Sequence, residues 1–442
     1  MNNTSTQITA TPTPPIAVAP PQTARRVDRW RPIKQVFKPL ASLRLTVVLF
    51  ALSIILVFCG TLAQMDNGLW AILTGYFRAW IAWIPFQVFV RFGQVFFWFP
   101  KTWYAPGSFP FPGGYVIGGL LLINLIAAHL VRFRVSWKRS GILLTHTGII
   151  LLLLGEWVTG QFAVEGVMLI LTGDSRNDVL HVDKTELAII DPSDPKADHV
   201  VVVPGSMLKQ KTNGERIRDE RLPFDIEVLR YMVNSSFPRD VKPGENNLAT
   251  AGVGLEKIVD EEKPGTGTDR EQRIDTASAY VTFYAKDSGA ALGTYLTTVW
   301  GDSAENPGSA AEQTVKVDGK EYRIGLRLER EYKPYTLHLE EFRHDLYPGT
   351  NTPLNFSSKI RLIDPENNVD REELIYMNNP LRYRGATFYQ ASWIEPDRGT
   401  KLQVVVNPGW LMPYFSCAFV ALGMMIHFGL HLVSFLRRRA TP

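Results

Sequence analysis

Four long apolar runs set the hydrophobic pattern of this 442-residue chain, at roughly Leu43–Leu62, Tyr115–Val131, Gly141–Val158 and Trp410–Leu436. Each is long enough, or nearly so, to cross a bilayer core of about 30 Å as a helix. Between the third and the fourth lies the polar stretch 161–407, which has room for one or two domains. There the pattern changes from runs to alternation. Val315 and Val317, then Tyr322, Ile324, Leu326 and Leu328, alternate around Asp318-Gly319, which predicts a hairpin. Further short strands are expected at Leu187–Ile190, His199–Val203, Phe224–Leu229, Tyr280–Tyr284, Lys359–Ile363 and Lys401–Val406. Short strands set off by Gly, Pro, Asn and Asp turns predict an antiparallel, sandwich-like domain. Residues 236–276 are polar and interrupted by Gly and Pro, and are expected to be a mobile loop or insertion. The fold class is therefore a membrane protein of α+β type, with four transmembrane helices and a large exported antiparallel β-rich domain.

The loop 65–112 carries Trp70, Trp80, Trp83, Trp98 and Trp103 among many Phe and Tyr. Its apolar centre between Arg78 and Arg91 contains Pro85 and measures about 18 Å as a helix, too short to span. Helices lying at the outer membrane interface are expected, where aromatic rings are favoured. Lipid anchoring accounts for such a loop, and so does a floor on which a flat hydrophobic ligand or a partner helix docks.

Charge orients the helices. Arg25, Arg26, Arg29, Arg31, Lys34, Lys38 and Arg44 precede the first run against one acid, Asp28. Arg132, Arg134, Lys138 and Arg139 fill the link between runs two and three, and Arg437, Arg438 and Arg439 follow run four. The loop 65–112 has only Arg78, Arg91 and Lys101 against Asp66. Basic residues near helix ends stay cytoplasmic, which puts both termini inside and 161–407 outside. The net charge of +4 reflects these clusters and is not a nucleic-acid signal. Residues 1–38 are expected to be a disordered, basic cytoplasmic segment, Pro/Thr-rich over the first 22 residues. No cleavable signal is visible there, so the first helix is expected to act as an uncleaved anchor. Both cysteines, Cys59 and Cys417, fall in membrane runs, so the outer domain has no disulfide and the chain has no CxxC for dithiol chemistry.

Histidine placement narrows the search for chemistry. His129, His146, His427 and His431 lie in the membrane runs. Counted from Arg132, Arg139 and Arg437, they sit about 5, 10, 15 and 9 Å in from the inner basic boundary. Ionisable groups in spans are costly and usually face a bundle interior, a ligand or a pathway. Neutral imidazole is also a good axial ligand for haem iron. His129 is near enough to the boundary to reach it. His427 and His431, four apart, share a helix face that a structural contact between helices would equally explain. A cytochrome b arrangement would pair His146 with His427 or His431, and no second pair is available near the outer side. His181, His199, His338 and His344 of the outer domain show no ligand spacing for zinc. A phosphate-binding Gly-rich loop and a nucleophile elbow are also lacking.

Several stretches together resemble the ResB family, the large membrane subunit of System II cytochrome c maturation. They are Leu40-Ala41-Ser42-Leu43-Arg44-Leu45-Thr46 with Gly60-Thr61-Leu62 and Gln64, and Gly141-Ile142-Leu143-Leu144-Thr145-His146-Thr147-Gly148 running into Leu154-Gly155. Val164-Glu165-Gly166 and Thr172-Gly173 follow, then Phe342, Leu346-Tyr347-Pro348-Gly349-Thr350, Ser357-Ser358 and Leu362-Ile363-Asp364. The most specific is Asn378-Asn379-Pro380-Leu381-Arg382-Tyr383-Arg384-Gly385 with Phe388-Tyr389-Gln390-Ala391-Ser392-Trp393. The resemblance covers nearly the whole chain after about residue 38. It implies a complex with a CcsA-type partner that moves haem b outward and presents it to apocytochrome c. The tryptophan-rich haem-handling motif of that partner is absent here, since the 11 tryptophans form no WGxxW-type cluster. Attachment is therefore expected mainly on the partner, with this chain a non-catalytic subunit. His146 is similar to a family transmembrane histidine, which makes it the leading candidate for axial ligand of the haem iron. The other axial ligand is expected from the partner. His427 and His431 are weaker candidates with no family role to carry over. The substrate thiols would come from the apocytochrome, kept reduced by thioredoxin-like proteins.

The implied location is a bacterial inner membrane, with lipids as neighbours and the large domain in the periplasm. A membrane b-type cytochrome moving electrons and a haem-free assembly scaffold are the rival readings. Haem spectra of the purified chain, with and without partner and apocytochrome, distinguish the three. For topology, reporter fusions at Thr212 and at the C-terminus are expected to report opposite sides of the membrane. The same side for both would overturn the orientation.

Overall fold

The computed structural model describes residues 37–132, 136–195, 197–265, 275–301, 312–350, 353–394 and 397–440. The expected disorder of the N-terminal segment up to residue 36, and the expected loop over 266–274, lie outside the described residues. Among the described residues four helices are long and apolar enough to cross a membrane. They are α1 (Leu43–Ala63), α2 (Gly114–Arg132), α3 (Ser140–Phe162) and α4 (Met412–Ala440).

The helices associate in two ways. Lipid tails are as apolar as leucine, so helices in a bilayer need close packing or hydrogen bonds to hold together. α1 and α2 use a polar clamp on the buried Asn124, whose Nδ2 donates to Leu40 O (2.6 Å) and Ser42 O (3.1 Å). Thr46 Oγ1 donates to Asn124 Oδ1 at 2.7 Å. α3 and α4 use small residues. Gly141, Gly148 and Gly155 are the buried residues of α3, one every seven positions, and they face Gly423, Ser416 and Met412 of α4. A seven-residue period keeps one stripe facing a partner along its length. The backbones come so close that a Cβ on Gly148 would stand 2.7 Å from Ser416 O, and one on Gly141 would stand 2.6 Å from His427 N. α2 and α3 are tied by two side-chain bonds, one at each end: Gln161 to Tyr115, and His129 to His146.

The polar stretch after α3 is antiparallel β. Its strands are β1 (Val164–Leu171), β2 (Ser175–Asp191), β3 (His199–Pro204), β4 (Phe224–Met232), β5 (Ser278–Ala285), β6 (Ala291–Thr298), β7 (Gln313–Val317), β8 (Lys320–Leu346), β9 (Pro353–Asp364), β10 (Val369–Tyr376), β11 (Leu381–Tyr383), β12 (Ala386–Ile394) and β13 (Gly399–Val406). Ten of them form one sheet, in the order β10-β9-β8-β2-β1-β13-β12-β11, with β7 on β8 and β3 on β2; β6-β5-β4 form a second. One core, including Leu187, Phe224, Phe283, Ile324 and Leu326, lies between the two sheets. In the other, including Met168, Leu337, Ile360, Phe388 and Leu402, the large sheet curls on itself. The long strands β2 and β8 serve both cores. β8 slips register between Leu328 and Glu329 and between Tyr332 and Leu337, and such irregularities bend strands. The expected hairpin is present. Asp318 and Gly319 both have positive φ, 50° and 75°, as a two-residue primed turn between β7 and β8 requires.

The large sheet continues the α3–α4 pair. β1 begins just after α3, β13 ends just before α4, and Val164 pairs with Val406. At the junction Asn407 Nδ2 donates to Thr159 Oγ1 at 3.2 Å, and Gly409 N donates to Asn407 Oδ1 at 2.8 Å.

One expectation needs correction. The loop 65–112 is not helical throughout: Ile81–Pro85 pairs with Ser108–Pro112 as a two-stranded ladder, and Gln87–Phe96 alone forms a longer helix. Proline at 85, 110 and 112 disfavours helix but is tolerated at a ladder edge. Arg91 closes the loop onto Asp66, with Nη2 2.7 Å from Oδ1. Of the two alternatives for the polar segment, a mobile loop or an insertion, 236–265 is a packed insertion between β4 and β5. Ala249 and Val259 pack with Met232, Tyr280 and Leu296 in a small core of their own. Arg239 is held by Glu245 (2.6 Å) and Asp260 (2.9 Å).

Gly148→Leu is expected to force α3 off α4 and to cost about 1–3 kcal/mol through overpacking. Gly118→Leu on α2 is the control, because a Cβ there meets nothing within 4 Å. Thermal unfolding of the detergent-solubilised chain compares them, and equal midpoints would contradict the glycine seam.

Candidate functional site

His146 lies on α3 one residue past Thr145, whose Oγ1 and N crowd Gly423 of α4. One residue is about 100° around a helix, so His146 is turned away from the glycine seam. The neighbouring hydroxyls are satisfied within the helix: Thr145 Oγ1 donates to Gly141 O (3.0 Å) and Thr147 Oγ1 to Leu143 O (2.9 Å). The imidazole is left to meet α2. Its Nδ1 lies 2.9 Å from Nε2 of His129, and the two rings stand edge to face with centroids 4.9 Å apart. Both side chains are half-buried.

The partner of His146 is thus His129, a residue the sequence allows to reach for the membrane boundary. The signal that could have found it is the antiparallel hairpin of α2 and α3. Residues similarly placed on either side of its short link face each other.

His427 and His431 lie elsewhere. Their rings touch each other, centroids 4.5 Å apart, and the His427 backbone packs on Gly141. Gly141 is five residues from His146 toward the basic end of α3, or about 7.5 Å of helical rise. His431 is one further turn in that direction and is exposed. The matched depth that would pair either with His146 is therefore absent. Counting inward from Arg437 placed His427 too deep, because α4 stays helical through Arg437–Arg439 to Ala440.

The histidines of the β region are separate, and three of them, His181, His338 and His344, have side-chain partners. His181 Nδ1 is 3.2 Å from Glu165 O and its Nε2 is 3.4 Å from Glu331. His338 meets Ser175 at 3.0 Å and His344 meets Asp397 at 2.8 Å. Among the described residues no group of three or more His, Cys, Asp or Glu is arranged to hold a bare metal ion. Cys59 and Cys417 are both free thiols. Between the outer loop and the start of the β region lies a cavity of about 430 Å³, lined by Trp70, Leu73, Arg78, Ala163, Val167 and His181 among others.

The most specific sequence stretch, 378–393, builds structure. Gln390 is buried: its Oε1 accepts from Ser358 Oγ at 2.6 Å, and its Nε2 donates to Ser392 O and Thr400 Oγ1, each at 2.9 Å. Arg384 and Gly385, with φ of 45° and 81°, make the tight turn between β11 and β12. Asp364, fully buried, accepts from Tyr383 Oη (2.6 Å), Asn367 Nδ2 (2.8 Å) and Arg384 Nη1 (3.0 Å). These donors, Tyr383 foremost, hold its carboxyl below the usual carboxylate range. The Arg382 guanidinium sits over the Trp410 ring at 4.3 Å, which sets this stretch against the chain entering α4.

Architecture and site together define a class: a membrane protein with a large antiparallel β region inserted between its third and fourth spanning helices. Within that class, residues 304–406 match the model of the ResB-like family. It is 24 % identical to Protein NrfI of Wolinella succinogenes over 316 residues, 70 % of this chain and 29 % of that protein. It is 34 % identical to Cytochrome c biogenesis protein CcsB of Prochlorococcus marinus (strain NATL2A) over 91 residues, 19 % of this chain and 21 % of that protein. The chain thus matches less than a third of the length of these curated relatives.

Gln390→Ala would leave the buried Ser358 and Thr400 hydroxyls short of partners, at a cost of about 1–3 kcal/mol. Thermal unfolding is expected to show the loss. A stable domain with reduced cytochrome c yield would instead assign Gln390 to a contact with a partner.

Proposed function

We propose that this chain is the ResB-type subunit of a System II cytochrome c synthetase. In this reading it receives haem in the inner half of the membrane and passes it outward with a CcsA-type partner. The partner carries out the attachment to apocytochrome c, while this chain contributes binding and orientation. Relatives named cytochrome c biogenesis proteins support the pathway. The observation that carries the haem role is the state of His146. Nδ1 is engaged by His129, and Nε2 is the nitrogen left for a ligand.

The donor set suits haem better than a bare ion. A porphyrin fills the equatorial positions of its iron, so one imidazole from this chain and one donor from a partner complete it. When bound, haem supplies the iron and the vinyl groups that attachment requires. The chain's own residues hold and orient it in surroundings that exclude water. The β region, continuous with α3 and α4 through β1 and β13, is read as periplasmic, the side on which apocytochrome c is met.

His146→Gly is expected to lower copurified haem and cytochrome c yield while the partner still copurifies. Added imidazole is expected to restore part of both, because it can occupy the vacated coordination position. Full haem content with an unaltered absorption spectrum in this variant would refute the ligand role.

A further inference from the structure

The contact between His129 and His146 carries more than packing. Nε2 of the first and Nδ1 of the second are 2.9 Å apart, so one proton lies between them. Two neutral imidazoles can share it in two ways. In one, His146 Nδ1–H donates to His129 Nε2, and His146 Nε2 carries a lone pair. In the other, His129 Nε2–H donates, and the proton on His146 sits on Nε2. Only the first leaves that lone pair on His146 Nε2; in the second it lies on His129 Nδ1, since which ring nitrogen is metallated is set by the bond the other makes.

We infer that His129 is a positioning residue, which accepts the Nδ1–H of His146 and so keeps His146 Nε2 as the ligating lone pair. The inference rests on the reading of His146 as a haem ligand. Ligation at Nε2 then needs no proton to leave the pair: His146 keeps its proton on Nδ1 and His129 carries its own on Nδ1.

Three observations favour this over a passive contact. The bond lies on the face of α3 turned away from the glycine seam, so α3–α4 packing does not require it. At the other end of the hairpin α2 and α3 are tied independently by Gln161 and Tyr115. The two nitrogens that meet are engaged with each other, so neither meeting atom is itself open to an iron. In apolar surroundings such a bond is stronger than in water and holds the ring plane as well as the tautomer. Accepting a proton from a ligand imidazole also raises its basicity, and loss of such partners typically costs 10- to 100-fold in metal affinity.

The test is haemin titration and redox titration of the full chain, purified in detergent, as wild type, His129→Leu, His129→Gln and His146→Gly. His129→Leu removes the acceptor. It is expected to weaken haemin binding by about 10- to 100-fold and to raise the midpoint potential, because His146 becomes a poorer donor. His129→Gln, whose side-chain oxygen can accept the same proton, is expected to return both toward wild type. A merely structural role would not shift the potential. Wild-type affinity and potential in His129→Leu, with binding lost in His146→Gly, overturns the positioning role and leaves the ligand reading standing. Wild-type binding in His146→Gly overturns the ligand reading itself. If His129→Leu is recovered unfolded, His129→Gln decides: with the acceptor retained it binds as wild type, and a His146→Gly-like loss in it refutes the inference.

Discussion

The close approach of α3 and α4 is the constraint on which the rest of the structure depends. Three glycines, at 141, 148 and 155, let two backbones meet where any side chain would hold them apart. An apolar interface in lipid gains little from the hydrophobic effect, so this contact area must come from proximity. The pair then fixes where the β region starts and stops. β1 leaves α3 and β13 enters α4 side by side, already at strand-pairing distance, and Val164 and Val406 take up the ladder where the helices end. A domain inserted between two helices need not have its first and last strands paired with each other in one sheet, but this one does.

With α4 occupying one face of α3, the opposite side is free for polar contacts. They are few and specific. Asn124 joins α2 to α1 through three hydrogen bonds, and His129 joins α2 to His146. Both residues belong to α2, while α3 and α4 meet along a seam of small residues. His146 is held through its Nδ1 by His129. His427 and His431 have no comparable setting: one is pressed by its backbone against Gly141, the other is exposed.

Much of this is legible in the sequence, for definable reasons. Spans are read from runs of apolar residues because the bilayer demands about 20 in a row. The Asp318-Gly319 hairpin is read because its turn needs two positive φ angles, which few residue pairs supply. Depth along α4 is not legible, because basic residues mark a boundary only if the helix stops near them, and α4 continues through Arg437–Arg439. The partnership of His129 and His146 is only half legible: the hairpin of α2 and α3 brings them to one level, but which faces meet depends on rotation about two helix axes. Residues 236–265 read as a loop or insertion because their order comes from Arg239, Asn247 and other polar side chains bonded to one another and to backbone, which hydropathy does not register.

The family match and the candidate site occupy different parts of the chain. The ResB-like match, 304–406, begins just before β7 and ends with β13, and the stretch 378–393 within it builds a buried Gln390 network, the Arg384-Gly385 turn and bonds to a buried Asp364. The imidazole pair lies outside that region, on α2 and α3. The two are nonetheless mechanically joined. β13, the last strand of the match, pairs along its whole length with β1, and β1 is the direct continuation of α3. The junction at Thr159 and Asn407 therefore links the second core to the helix that carries His146, beside the Arg382–Trp410 contact at the entry to α4.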